Sequence, residues 1–266
     1  MADGHCLFAP EIAEENAGFS AAYFENLARR ESGYFWFESR NQLICWALAK
    51  YFPAMRSLLE IGCGTGFVLA GISRSFPGVP LSGSEALQAG LLYTARRLPR
   101  AELFQMDARN IPFVEEFDVI GAFDVLEHID EDRAVLEQIH AAVKPGGGMV
   151  LTVPQHPALW SGIDEYSFHK RRYTREDLVR KVSQAGFRTV RATSFVTILL
   201  PAMVATRLLR RRYTKDFDLD LEFRISVRMN RSLTRVLAFE RRVIQTGISL
   251  PVGGSLLLVA RRDQEG

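Results

Sequence analysis

LLEIGCGTGF, residues 58–67, is the stretch whose reading decides the fold. An apolar run ends in glycines at 62, 64 and 66, and the chain turns apolar again at Phe67. Glycine lets the backbone turn sharply and approach a ligand closely between a strand end and a helix start. A dinucleotide-binding G-x-G-x-x-G would need glycine at 67, where this chain carries Phe67. Glu60 stands inside the apolar run, two residues before the first glycine. Taken alone, a G-x-G pair also describes a plain structural turn, so the flanking chain has to decide.

Outward from this turn the chain alternates between two periods. Short apolar runs at 57–62, 80–85, 102–107, 117–124, 147–153, 187–194 and 255–261 are predicted strands. Helical periods at 65–76, 87–98, 131–143 and 175–185 fill most gaps, with Thr174 opening the last and Gly186 closing it. The helix at 131–143 is expected to end at Lys144-Pro145-Gly146. Upstream, Ser39 and Gln42 have capping-box spacing for a helix at 39–52, with an apolar face of Leu43, Ile44, Ala47, Leu48 and Tyr51 and an end at Pro53. Near-continuous apolar strands alternating with helices mean an α/β fold with a doubly wound parallel sheet. The first residues are polar and expected to be unordered. Roughly 60 residues separate the last two strands, too many for a simple connection, so they form an insertion with structure of its own. It holds an acidic turn at 215–222 and a basic amphipathic helix at 224–246, whose apolar side is Ile225, Met229, Leu233, Val236, Leu237, Val243 and Ile244.

With 266 residues, 47% of them hydrophobic, the chain can bury a large core. A net charge of +2 argues against a protein that coats nucleic acid, but the charge is uneven. Thr206 to Gln245 holds eleven basic and five acidic residues, a local +6 on a remainder at −4. A basic segment on an acidic body hints at an anionic partner. Cys6, Cys45 and Cys63 lack metal spacing and read as reduced thiols, and the N-terminus shows no export signal, so the expected location is the cytoplasm.

The predicted strands end in carboxylates beside the glycine turn: Glu85 after the second, Asp107-Ala108 after the third and Asp124, behind Phe123, after the fourth. In a doubly wound sheet such positions suit the hydroxyls of a ribose and the amino group of an adenine at the switch point. The motifs LLEIGCGTG, GSE (83–85), QMDARNIPF (105–113), FDVLEHIDE (123–131) and VKPGGGMVLTVP (143–154) resemble those of class I S-adenosylmethionine-dependent methyltransferases. They are most similar to the small-molecule branch that includes the ubiquinone-biosynthesis O-methyltransferases, over residues 34–195 and the last strand. The resemblance implies a seven-stranded Rossmann-like sheet with an N-terminal helical segment, a last strand inserted antiparallel, and a helical substrate cap between strands 6 and 7. The corresponding divisions are an N-terminal segment and cofactor lid at 1–38, a cofactor-binding core at 39–195, the cap at 196–250, and the last strand and tail at 251–266. It also implies S-adenosylmethionine as cofactor, with Glu60, Gly62, Cys63, Gly64 and Gly66 at its methionine end. Glu85 and Ala86 would face the ribose, Asp107 and Ala108 the adenine, and Phe123 the sulfonium side. The segment YFWFESR (34–40) falls where relatives cover the cofactor, so Trp36 or Phe37 could face the sulfonium and Arg40 the methionine carboxylate; the alternative is that Trp36 only packs the first helix onto the sheet.

The stretch VPQHPALWSGIDEYSFHKRRYT (153–174) would lie at the open end of the sheet, where an acceptor binds. A hydroxyl acceptor needs a base, and His169, His156 and His128 are the candidates. Trp160, Arg171, Arg172 and Tyr173 are the candidate substrate contacts, the arginines for a phosphate or carboxylate or, alternatively, for ion pairs that pin the loop. Asp124, Glu127 and His128 could share a divalent metal, but the favoured reading has none. The fourth strand ends in FDVL, without the Asn/Asp-Pro-Pro-aromatic string that clamps a flipped base, so nucleic acid is not the expected partner. An RNA-directed methyltransferase, a non-catalytic protein keeping the fold and an oxidoreductase are the alternatives. The acceptor is expected to be a small or lipid-linked molecule, an anionic one included, and the expected reaction is its O-methylation.

SFVTILLPAMVATRLLRRR (194–212) is the most apolar run of the chain. Its uncharged part is too short for the roughly 20 residues of a membrane span. It reads as a substrate cap in the first place. Peripheral membrane contact, with Arg207 and Arg210–Arg212 meeting lipid phosphates, is the compatible second reading.

Overall fold

The computed structural model describes residues 6–14, 21–210 and 223–264, the side chains of 208–210 excepted. The acidic turn at 215–222 lies outside them, as do Arg211 and Arg212. Eight strands form one sheet: β1 (Cys6–Leu7), β2 (Leu58–Ile61), β3 (Leu81–Glu85), β4 (Glu102–Gln105), β5 (Phe117–Phe123), β6 (Val143–Pro154), β7 (Phe187–Phe195) and β8 (Ser255–Arg262). Their order is β1-β4-β3-β2-β5-β6-β8-β7. All pairs are parallel except those of β8, which runs antiparallel between β6 and β7. The order reverses between β2 and β5, and that reversal opens a crevice at the carboxyl ends of the strands.

Helices cover both faces. On one face α5 (Asp132–Ala142) and α7 (Arg175–Gln184) pack through Val135, Leu136, Ile139, Leu178 and Val182. On the other lie α2 (Phe35–Tyr51), α3 (Phe67–Ser75) and α9 (Val227–Gln245), with α1 (Ala21–Glu31) packing on α4 (Gln88–Arg97). The short α6 (Gly162–Tyr166) and α8 (Leu200–Arg210) complete the set described. Leu58, Leu59, Leu257 and Val259 are fully buried, as strands covered on both sides require. Truncating one of them to alanine is worth about 2–5 kcal/mol.

The structure departs from the sequence reading in four places. The N-terminus is not unordered at 6–14: β1 extends the sheet beside β4, making the eighth strand. The buried Gln105 amide accepts from the Ala9 N–H at 3.1 Å and donates to the Ala9 carbonyl at 2.7 Å. A two-residue strand has no periodicity to read, and the clasp that orders it comes from a distant side chain. Second, α2 begins at Phe35, and the Ser39–Gln42 capping box does not form. Asn230 of α9 does that work, accepting from the Phe35 N–H at 2.9 Å and donating to the Gly33 carbonyl at 2.7 Å. Third, α5 stops at Ala142 and β6 already includes Lys144-Pro145-Gly146. Fourth, α9 lies along α2 and buries only Leu237, Glu240 and Ile244, while Met229, at 54% exposure, faces outward. Pro201 falls in the first turn of α8, where its missing N–H costs nothing.

Candidate active site

The crevice is a cleft of about 640 Å³. Its first half is built by the strand ends. Gly62, Gly64 and Gly66 all adopt positive φ, from 54° to 72°. A Cβ on Gly62 would stand 2.5 Å from Val125 Cγ2, and one on Gly66 2.9 Å from Thr94. Only glycine fits this loop, whose backbone is thereby presented to the cleft. Thr65 donates to Glu31 at 2.7 Å, and Arg97 pairs with the same carboxylate at 2.6 Å, so the loop is tied to the end of α1.

Four acids border this half. Glu60 lines the cleft while 2% exposed, and its Oε2 has no hydrogen-bond partner among the described residues. Burial pushes its carboxyl well above the usual range, against the pull of Arg40. Glu85 accepts from the N–H groups of Ala86 at 2.8 Å, Gly64 at 3.1 Å and Leu87 at 3.3 Å. Burial raises its pKa as well. Asp107 accepts from the Arg109 guanidinium at 2.7 Å and sits below the ordinary carboxylate range: burial raises it, but the side-chain and backbone hydrogen bonds from Arg109 and its charge together outweigh that. Asp124 is ion-paired with Arg40, whose guanidinium lies 4.6 Å from the centre of the Trp36 ring. The cation facing Trp36 is thus Arg40 itself. Cys63, Ala86, Ala108 and Phe123 line the same half.

The second half is shaped by 154–172, and it separates the candidates drawn from the sequence. His169, His128 and Arg172 line it; His156, Trp160, Arg171 and Tyr173 do not. Tyr173 is 1% exposed, and its hydroxyl donates to Asp132 at 2.7 Å, making it a core residue. Arg171 pairs with Asp132 at 3.1 Å and Asp130 at 3.3 Å, the loop-pinning role. Arg172 is buried, donating to Asp164 at 2.7 Å and to the Gln155 carbonyl at 3.1 Å. His169 Nδ1 lies 2.9 Å from Asp164 Oδ1, its Nε2 lies 3.9 Å from Glu127, and its ring centre is 4.8 Å from that of His128.

Asp164, which the sequence offered only as an ion-pair partner for the arginines, takes both Arg172 and His169. Ser161 and Asp164 form a true capping box for α6, with the Ser161 N–H donating to Oδ2 at 2.8 Å. The spacing Ser-x-x-Asp was the available signal. Burial opposes its charge, yet the His169 hydrogen bond and the Arg172 charge hold its carboxyl down at about 2. A carboxylate on Nδ1 favours the tautomer with its proton there, which leaves Nε2 as the acceptor nitrogen. Glu127 was also undervalued: it is fully buried, its oxygens have no hydrogen-bond partner among the described residues, and burial with the Asp124 charge pushes its pKa well up. Because Asp124 is engaged by Arg40, the metal-type donors that converge are Glu127, His128 and His169, within 4.8 Å of one another.

Comparison with known proteins accords with this geometry. Residues 29–192 match the family described as methyltransferase domain, well over half of the chain. A Mycolicibacterium smegmatis protein, described as a probable S-adenosylmethionine-dependent methyltransferase, is 25% identical over 159 residues, 58% of this chain and 59% of that protein. A ubiquinone biosynthesis O-methyltransferase of Paraburkholderia phytofirmans is 29% identical over 107 residues, 38% of this chain and 46% of the relative. The matches therefore span about half of these relatives' lengths. Among solved structures, the Haemonchus contortus phosphoethanolamine N-methyltransferase 2 in complex with S-adenosyl-L-methionine superposes with a TM-score of 0.60 at 17% identity, covering 92% of this chain and 58% of that one.

Proposed function

The chain belongs to the methyltransferase-domain family of class I enzymes whose cofactor is S-adenosylmethionine, and from that premise we propose that it methylates a hydroxyl of a small or lipid-linked acceptor. S-adenosylmethionine supplies an electrophilic methyl group on a sulfonium. The residues present fit it: a buried carboxylate oxygen of Glu60 without a partner suits an ammonium, and the glycine loop offers backbone where no Cβ would fit. Glu60, Gly62, Cys63, Gly64 and Gly66 would hold its methionine end, Glu85 and Ala86 would face the ribose, and Asp107 and Ala108 the adenine. Trp36, Arg40 and Phe123 wall the same space.

The observation that carries the reaction type is the His169–Asp164 pair opening into the cleft. Asp164 holds the Nδ1 proton, so Nε2 is the atom placed to take a proton from an acceptor hydroxyl. The O-methyltransferase name of several relatives supports the same reading. Positioned general-base catalysis is worth about 10²–10⁴ in rate. His169→Asn should therefore lose about that factor in kcat while binding S-adenosylmethionine, by calorimetry, as the wild type does. A variant that loses cofactor affinity instead would remove His169 from the base role. A divalent ion shared by Glu127, His128 and His169 is the competing use of these groups. Activity abolished by a chelator and restored by magnesium would assign it. We further propose peripheral contact with an anionic membrane through the outer face of α9.

A further inference from the structure

The second of the two sequence readings of 194–212 put Arg207 against lipid phosphates at a membrane surface. The structure turns it inward: it lies on α8 and lines the acceptor half of the cleft together with Val196, Leu199 and Met203. Gly254 packs against Met203, where an added Cβ would stand 2.9 Å from Met203 Cε.

Among the described residues no acid pairs with this cation. Its Nη1 is buried without a hydrogen-bond partner among the described residues. The nearest acid with an effect on it is Asp164, whose oxygens are already committed. Oδ1 takes His169 Nδ1 at 2.9 Å and Arg172 Nε at 2.7 Å, while Oδ2 takes the Ser161 N–H at 2.8 Å and hydroxyl at 3.1 Å. Arg172 is thereby neutralised and Arg207 is not. Burial and the Arg172 charge pull the Arg207 guanidinium down to about 10, the direction expected of a desolvated cation facing another. Keeping a buried charge unpaired costs free energy, and a guanidinium presents a fork that matches carboxylate and phosphate oxygens.

Resting on the methyltransferase reading of the cleft, we infer that Arg207 anchors a carboxylate or phosphate on the acceptor, whose apolar body runs along Val196, Leu199 and Met203. The acceptor is thus an amphiphilic anion, held at its charged group by α8 and presented at its reacting hydroxyl to the other side of the cleft.

The test is calorimetry on the full chain loaded with S-adenosylhomocysteine, using decyl phosphate, decanoate, decanol and inorganic phosphate as probes. Decyl phosphate or decanoate should bind about ten- to a hundredfold tighter than decanol, the range of a hydrogen bond to a charged group. Arg207→Gln should abolish that preference, Arg207→Lys should keep part of it, and S-adenosylhomocysteine affinity should not change in either. An unchanged preference in Arg207→Gln overturns the anchor, and inorganic phosphate binding as tightly as decyl phosphate overturns the apolar body. Stability gives an independent readout. Removing an unanswered buried charge should leave the melting temperature of ligand-free Arg207→Gln at or above that of the wild type. A clear fall would mean the guanidinium has a protein partner and would equally overturn the inference. Failure of S-adenosylhomocysteine to bind the wild type would instead strike the methyltransferase reading, apart from any result with the anions.

Discussion

His128 and His169 sit with ring centres 4.8 Å apart, yet their surroundings assign them different work. His169 has a carboxylate on Nδ1; His128 has burial and the neighbouring His169, which together push its pKa down to about 3. His128 therefore stays neutral in the folded protein at pH values where it is protonated in the unfolded chain, whose ordinary value is about 6.5. Between those two values the unfolded state binds the extra proton, so stability falls as pH falls, beginning near 6.5 and continuing toward 3. Going from pH 7.5 to pH 5 should cost about 2 kcal/mol from this residue. Thermal melts of wild type and His128→Gln at the two pH values check it: the variant should show a clearly smaller drop. Equal drops would place the pH dependence elsewhere, His156 being a second histidine whose pKa burial and the Arg172 charge lower. What was legible at this scale follows from what fixes a side chain's surroundings. Glu60, Glu85, Asp107 and the three glycines could be read because strand ends of a doubly wound sheet converge by topology alone. Arg171, Arg172 and Tyr173, consecutive in sequence, went to three different fates, an ion pair, a buried bridge and the core, which spacing does not distinguish.

Elements from the insertion hold the entrance of the site. Glu240 of α9 is 2% exposed and accepts from three consecutive backbone N–H groups, those of Val196 at 2.5 Å, Thr197 at 2.7 Å and Ile198 at 2.8 Å. These belong to the turn from β7 into α8, where Val196 has a positive φ of 60°. A strained turn persists only when its surroundings over-determine it, and one carboxylate supplies that here. Glu240→Ala would leave the buried Val196 N–H and the part-buried N–H groups of Thr197 and Ile198 without this acceptor, at a cost of about 2–4 kcal/mol. Hydrogen exchange should then accelerate across 196–205 while the amides of β2 and β5 keep their protection. Uniform acceleration would mean that Glu240 supports the whole fold and not α8 in particular. Both this contact and the Asn230 cap of α2 join residues far apart in sequence, which is why the helices were legible as periods while their starting points and mutual packing were not. Local capping rules named Ser39 for α2; tertiary structure overruled them. Where the cap was local, at Thr174 of α7, the sequence rule held, with the Asp177 N–H donating to the threonine hydroxyl at 3.1 Å.

For the molecule as a whole, the uneven charge noted in the sequence acquires a direction. Arg228, Arg231, Arg235, Phe239 and Arg242 recur every three or four residues along α9 and are all exposed, a single outward stripe. The one acid of the helix, Glu240, points inward. Nothing on α9 therefore offsets the stripe, and Phe239 stands within it at 60% exposure. No helix among the described residues is long and apolar enough to cross a membrane. A basic stripe with an embedded aromatic ring suits the surface of an anionic bilayer, at about 1 kcal/mol per arginine near the lipid headgroups. Vesicles of phosphatidylcholine with phosphatidylglycerol should co-sediment the protein at low salt, and vesicles of phosphatidylcholine alone should not. Arg231→Glu with Arg235→Glu should release it without altering S-adenosylmethionine affinity, since neither side chain lines the cleft. Raising salt should weaken binding, because exposed charges are screened beyond a Debye length. Binding that ignores both the charge reversal and the salt would mean that the membrane contact lies on another face, and α9 would then be only the strut that holds α2 and the α8 turn in place.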